Sequence, residues 1–297
     1  MQQELPFIYA HEHTTVDLSG VKKDLDCRLD EIEKTIREFA GLRERGVGMI
    51  VDVTNRGMGR DVNTVCRVAQ QTGVKILHST GYYKEPFLPV EVYNQTEEQL
   101  AQMMVGELTT GIEDTGVKAS VIGEIGTSKE RIEPAEEKIF RASCRAQLQT
   151  GVPIVTHTTL GLLGLEQVEL FQQMGVDLSR VVLSHIDLSG DVEYMKRLLD
   201  KGVNIAFDTV GKNNYQPDEQ RASWLVALCE AGYARQIVMS MDITRKSHFK
   251  ENGGPGYAYL LDTFVPMLRR AGIRDVALHQ LLCETPARIY KAKEATV

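Results

Sequence analysis

Short apolar runs rich in β-branched residues alternate along this chain with longer amphipathic stretches. The runs lie at Phe7–His13, Gly48–Thr54, Val74–Thr80, Ala119–Ile125, Pro153–His157, Val181–His185, Val203–Asp208 and Ile237–Asp242. Apolar character that is nearly continuous over a short run predicts strands buried on both faces, and hence a parallel sheet. The stretches between them, Asp30–Arg45, Thr96–Thr109, Pro134–Thr150, Leu165–Met174, Val192–Lys201, Pro217–Ala231 and Gly256–Ala271, read as helices. Pro134 and Pro217 stand at helix starts, and Gly46, Gly151, Gly175, Gly202 and Gly272 stand just past helix ends. Proline is tolerated in a first helical turn, and glycine supplies the left-handed residue that ends a helix.

Eight predicted strands alternating with helical stretches in 297 residues predict an α/β protein, a closed (β/α)8 TIM barrel, as a single domain over residues 1–297. An open doubly wound sheet would place a glycine-rich loop after its first strand, and His11-Glu12-His13 stands there instead. The composition is ordinary for a globular chain, at 42 % hydrophobic and 25 % charged residues. A formal net charge of −7 gives no support for a nucleic-acid or anionic-membrane partner. The cysteines Cys27, Cys66, Cys144, Cys229 and Cys283 are dispersed, without a Cys-x-x-Cys pair, and read as reduced thiols. Met1–Pro6 carries no basic segment leading into an apolar one, and no apolar stretch is long enough to span a bilayer. The expectation is a cytoplasmic protein acting on a small molecule, as a monomer or homodimer.

Candidate chemistry gathers at the ends of the apolar runs. His11 and His13 end the first, Glu124 the fourth, His157 the fifth, His185 the sixth and Asp242 the eighth. In a barrel these ends converge on one mouth, where catalysis sits. Residues two apart in a strand point the same way, so His11 and His13 can grip one ion. Four imidazoles and two carboxylates exceed what one tetrahedral zinc needs, and suit two divalent metals about 3.5–4 Å apart. Glu124 is the expected bridge, with one oxygen for each metal. Asp242 is expected to hold the first metal and to act as the catalytic base on a hydroxide shared by both.

Longer strings carry a resemblance: Ala10-His11-Glu12-His13, Asp26-Cys27-Arg28, Thr54-Asn55-Arg56-Gly57-Met58-Gly59-Arg60, Thr80-Gly81-Tyr82-Tyr83, Gly123-Glu124-Ile125-Gly126-Thr127-Ser128, Thr156-His157-Thr158, Asp208-Thr209-Val210-Gly211-Lys212-Asn213 and Ser240-Met241-Asp242-Ile243-Thr244-Arg245. Together they run through nearly the whole chain. They resemble the phosphotriesterase family of the amidohydrolase superfamily, and within it the homology-protein branch. The resemblance implies a hydrolase with two metals, usually zinc; the ligand set also suits manganese, cobalt or iron. It implies His11, His13 and Asp242 around the buried metal, and His157 and His185 around the more exposed one. Glu124 stands where the true phosphotriesterases carry a carboxylated lysine. Thr209 stands where organophosphate-hydrolysing members have a relay histidine, and Lys212 where a further histidine often lies.

The loops after the seventh and eighth strands concentrate cations: Lys212, Arg245, Lys246 and Lys250, followed by Tyr257. Barrels often bind phosphate here. Lys212, Arg245, Lys250 and Tyr257 are therefore candidate substrate contacts, the alternative being a solvated basic loop. Tyr83, ending the third strand, either donates a hydrogen bond to a substrate carbonyl, as its equivalent does in lactonase-like members, or walls the pocket. His78, His248 and His279 receive no role. The expected function is metal-dependent hydrolysis of an ester-type bond, in a lactone or carboxylic ester and including a phosphorylated sugar lactone. Phosphotriester hydrolysis, a catalytically weak metal-binding barrel and an amide-cleaving or deaminating enzyme of the wider superfamily are the alternatives.

Overall fold

The computed structural model describes residues 5–290. Its barrel strands are β1 (Phe7–Glu12), β2 (Val47–Asp52), β3 (Lys75–Leu77, continued by Ser79–Thr80), β4 (Val121–Thr127), β5 (Ile154–Thr158), β6 (Val181–Ser184), β7 (Asn204–Phe207) and β8 (Ile237–Met239). Each pairs in parallel with the next in chain order, from β1 on β2 through to β7 on β8. This is the expected (β/α)8 barrel.

At least one position on each strand points into the barrel and must share a narrow interior with its neighbours. Ile8, Ala10, Val51, Leu77, Val121, Val155, Val182, Ala206 and Val238 fill it, all small or branched. The opposite faces carry larger residues, such as Tyr9, Ile122, Phe207 and Met239, which pack against the helical layer. Ile289 and Tyr290 plug one end of the interior, with the Tyr290 hydroxyl donating to the Ala10 carbonyl at 3.1 Å.

The helical layer is α1 (Ile32–Glu44), α2 (Val62–Thr72), α3 (Glu97–Thr109), α4 (Pro134–Thr150), α5 (Gly164–Met174), α6 (Val192–Asp200), α7 (Asp218–Glu230) and α8 (Val265–Arg270). Two differences from the sequence expectation matter. Helix α2 is an addition, capped by the Asp61 side chain on the Thr64 amide and ended by Gly73 at φ 69°. The helix expected over Gly256–Ala271 is shorter: the chain there is loop, then a π turn at Leu260–Phe264, before α8 begins.

Several strands end earlier than expected, whereas β4 and β5 run on to Thr127 and Thr158. β6 stops before His185 and β8 before Asp242. Both residues adopt left-handed backbone, at φ 63° and 50°. That conformation costs a side-chain-bearing residue about 1–2 kcal/mol. The turn lifts each side chain out of the strand pattern.

Among the described residues no backbone ladder joins β8 to β1. The Glu12 carboxylate takes its place. Oε1 accepts from the Ser240 hydroxyl and the Met241 amide, each at 2.7 Å, and Oε2 from the Ile243 amide at 3.2 Å. The Ser240 hydroxyl in turn accepts from the His11 amide at 3.1 Å. Burial pushes the Glu12 carboxyl up to about 7 despite these three donors.

Glu12→Ala is expected to cost about 3 kcal/mol or more in chemical denaturation, because three buried donors lose their acceptor. The pH dependence has a definite sign. A folded-state pKa raised above the unfolded value makes charging Glu12 a burden that grows as pH rises from about 4.5 to about 7. The metal-free wild type should lose stability relative to Glu12→Gln through that window, by at most about 1.4 kcal/mol per pH unit. Parallel stability curves for the two proteins would refute the assignment.

Candidate metal centre

The six expected ligands meet at the C-terminal mouth of the barrel. His11, His13 and Glu124 form one group whose donor atoms lie within 4.8 Å of one another; His11, His185 and Asp242 form a second, and Glu124, His157 and His185 a third. Glu124 spans the arrangement. Its Oε1 lies 3.5 Å from His13 Nε2, while Oε2 lies 3.6 Å from His11 Nε2, 3.2 Å from His157 Nδ1 and 3.6 Å from His185 Nε2. Asp242 Oδ1 lies 3.5 Å from His11 Nε2 and 3.4 Å from His13 Nε2.

Three of the four imidazoles are aimed by a partner on Nδ1. His13 Nδ1 meets Thr54 Oγ1 at 2.7 Å, and His11 Nδ1 meets Ser184 Oγ at 2.9 Å. His185 Nδ1 meets Asp208 Oδ1 at 2.9 Å, and the second oxygen of Asp208 lies 3.4 Å from His11 Nδ1. Such partners fix the ring and leave Nε2 as the ligand atom. The Nε2 atoms of His11 and His13 are buried with no hydrogen-bond partner. Orphaned ring nitrogens converging on two carboxylates are what a divalent-cation site requires, so the residues fit two such ions.

The electrostatics agree. Burial raises Glu124, but the facing imidazoles outweigh it and hold the carboxyl well below its usual range. Asp242 is likewise held low against burial, with the Lys212 ammonium the leading cause. Burial lowers His13, yet Asp242 and Glu124 carry it up to about 10. These ionised acids are available as ligands, and loading a cation would displace protons from the rings.

Backbone placement explains the residue choices around Glu124. Gly123 lies at φ 140°, and a Cβ there would sit 2.2 Å from the Val155 carbonyl oxygen. The Glu124 amide donates to the Val53 carbonyl at 3.1 Å, and Asn55 Nδ2 holds the Glu124 carbonyl at 2.8 Å.

A cavity of about 500 Å³ opens over the cluster. Tyr83, Lys212 and Arg245 line it. Tyr83 Oη lies 3.2 Å from His157 Nδ1, and Lys212 Nζ pairs with Asp242 Oδ2. Two expectations are corrected. Lys250 is exposed outside the cavity, because its amide is tied to Glu38 Oε1 at 2.7 Å on α1 and the loop turns away. Tyr257 is fully buried against Phe39, and its hydroxyl donates to the His13 carbonyl at 2.7 Å. It buttresses a candidate ligand and does not reach substrate.

Sequence reasoning also passed over several residues. Asp208 ends an apolar run as the ligands do, so its position carried a signal. Ser184 and Thr54 carry none, because a hydroxyl next to a strand end is unremarkable until its imidazole partner is seen. Lys22 and Lys84 line the cavity from the loops after β1 and β3.

A (β/α)8 barrel that gathers four imidazoles and two carboxylates at its mouth has the architecture of the barrel hydrolases. The profile of the Phosphotriesterase family matches residues 2–290, and the chain belongs to that family. It is 45 % identical over 285 residues to the phosphotriesterase homology protein of Escherichia coli K12, covering 96 % of this chain and 98 % of that protein. The crystal structure of an E. coli phosphotriesterase homology protein, complexed with phosphate in its active site, superposes with a TM-score of 0.95 at 44 % identity, covering 97 % of this chain and all of that one. A lactonase from Listeria monocytogenes superposes with a TM-score of 0.92 at 29 % identity, covering 98 % and 96 % of the two chains. An N-acetyltaurine hydrolase from Dictyostelium discoideum is 32 % identical over 89 % of this chain and 74 % of its own length.

Asp208→Asn should weaken metal binding about 10- to 100-fold, since it removes the acceptor that aims His185 and supports His11. Competition with a chromophoric chelator measures this directly. An unchanged affinity would remove Asp208 from the site.

Proposed function

We propose that the chain is a divalent-metal-dependent hydrolase of an ester-type bond, with a lactone or carboxylic ester as substrate and a phosphorylated sugar lactone within that class. The observation that carries the reading is Glu124 set between the His11–His13 pair and the His157–His185 pair. His11, His13, Glu124 and Asp242 would hold one ion, and Glu124, His157 and His185 a second, zinc being first choice for this donor set. When bound, the two ions would supply Lewis acidity and lower the pKa of water to near neutrality.

The chain's own groups divide the remaining work. Asp242 is ionised beside Lys212 and faces the cavity, so it would take the proton of the attacking water. Tyr83 stays protonated, because burial raises its hydroxyl well above the ordinary value. It would donate to the carbonyl oxygen as charge develops there. The substrate is a small molecule, and no helix among the described residues is long and apolar enough to cross a membrane.

Phosphotriester hydrolysis is the second reading, favoured by family membership. Thr209 argues against it. Its hydroxyl donates to Asp187 and accepts from Arg221 Nη2 at 2.9 Å, so it offers no relay to a departing proton.

Asp242→Asn should lower kcat for a lactone by about 100-fold or more while most of the metal stays bound. Lactone turnover and metal content on the same preparation test this, and near-normal turnover would reject the base. Lys250→Ala should leave KM unchanged for phosphorylated and unphosphorylated lactones alike, because the side chain lies outside the cavity. A screen of zinc- or manganese-loaded protein against sugar lactones, their phosphates and paraoxon tests the class. Paraoxon turnover faster than any lactone would favour the second reading.

A further inference from the structure

The cations around the cavity are not equivalent. Lys212 is paired with Asp242. Arg245 is paired with Asp24 at 2.8 Å and lies 3.4 Å from Asp26. His248 is neutral near pH 7, since burial pushes it down to about 4. A cation already in contact with a carboxylate has much of its field cancelled and must break that contact to bind a new anion.

Lys84 and Lys22 differ. Both line the cavity, and neither makes an ion pair with a carboxylate among the described residues. Lys84 is held in place by its stem. Its ammonium lies 5.8 Å from the ring centroids of both Tyr83 and Phe87 and donates to the Glu85 carbonyl at 2.9 Å. Gly126 makes room for it: a Cβ at 126 would sit 3.1 Å from Lys84 Cβ, 3.3 Å from its Cδ and 3.1 Å from His157 Cβ. The lysine stem therefore runs alongside a candidate metal ligand, over a strand position without a side chain.

The ammonium is half-buried. Burial lowers its pKa, and Lys22 lies near enough to lower it further, against the opposite pull of Glu136 and Glu124. Neither acid is in contact with it. Glu136 is occupied by the Glu85, Ser128 and Glu133 amides. A partly desolvated ammonium with two donor directions still open, within the field of a second ammonium on the exposed Lys22, is a place prepared for a compact anion.

We propose that Lys84, assisted by Lys22, forms the subsite for the substrate's phosphate monoester group, on the side of the loops after β1 and β3. The loops after β7 and β8 then carry no part of that recognition. Two lysines match the dianion better than a monoanionic carboxylate. The aromatic rings beneath Lys84 keep its head at the cavity wall, so the group it holds stands off from the reacting bond. This inference rests on the cavity being the substrate site, and it is independent of which bond is cleaved.

The test uses zinc-loaded protein and a binder that cannot turn over: a pentose 5-phosphate against the free pentose, by isothermal titration calorimetry. The wild type should prefer the phosphate. Lys84→Gln should lose about 10- to 100-fold in affinity for the phosphate, with the free pentose unchanged. Lys22→Gln should lose less, Lys84→Arg should restore part of the affinity, and Arg245→Gln should stay near wild type. Loss in Arg245→Gln with Lys84→Gln unaffected would move the subsite to the β8 loop and overturn the proposal. Equal wild-type affinity for the phosphate and the free sugar would overturn it as well. A protein that hydrolyses no ester yet discriminates the phosphate through Lys84 would refute the ester reading alone.

Discussion

One buried carboxylate closes this barrel. Where the ladder between β8 and β1 is missing, Glu12 gathers Ser240, Met241 and Ile243 onto its two oxygens. The residues on either side of Glu12 are His11 and His13, and two of its donors flank Asp242. The contact that shuts the barrel therefore also brings both imidazoles within 3.5 Å of the Asp242 carboxylate. Asp52 acts similarly at β2, accepting from the Thr14 and Thr54 amides at 2.9 Å each. It fixes the chain after His13 together with the hydroxyl that aims the His13 ring. Closure and site assembly are thus a single constraint, and buried acids satisfied by backbone amides impose it.

This explains what the sequence could disclose. Strand ends are legible because burial on both faces forces an apolar run, and a histidine or acid terminating such a run stands out against it. His157 and Glu124 were readable in this way, and Asp208 carried the same mark. Helix α2 was also within reach, with Val62, Val65 and Val68 on one face between Asp61 and Gly73. Direction within a loop was not. Lys250 and Tyr257 follow Asp242 closely in sequence, but Glu38 on α1 captures both their amides and turns that segment toward the helical layer. A contact 212 residues away decides where Lys250 points, and no local pattern encodes it.

The loop after β7 shows how a buried network can replace one chemical part with another. Arg221 is fully buried and donates to Asp187 at 2.7 Å, Asp218 at 2.9 Å and the Gln216 carbonyl at 2.5 Å. Asp218 in turn accepts from the Gly211 amide and from the Tyr259 hydroxyl. A guanidinium removed from water needs such compensation on every side. With those partners fixed, Thr209 is committed to structure and Lys212 is presented to Asp242. An imidazole at position 209 would have to take over both contacts, donating to Asp187 and accepting from Arg221, and would not then be free to relay a proton. The network therefore leaves the Lys212 ammonium beside the Asp242 carboxylate.

Charge around the cavity follows from the same arrangement. The chain is acidic overall, and Glu124 and Asp242 form the floor of its cavity. Cations bound there would neutralise the floor, but they would attract any anionic group toward the reacting centre. A substrate that carries a phosphate away from its reacting bond needs a competing cation at a distance, or it will bind with the wrong end inward. Electrostatic attraction in salt fades over about 8 Å, so the competing charge must stand within the cavity itself. A cation neutralised by a neighbouring acid, as Arg245 is, competes poorly. Lys84 stands on the wall beside His157, raised on a bed of aromatic rings and, among the described residues, without an acid in contact, and can orient such a substrate before the chemistry begins.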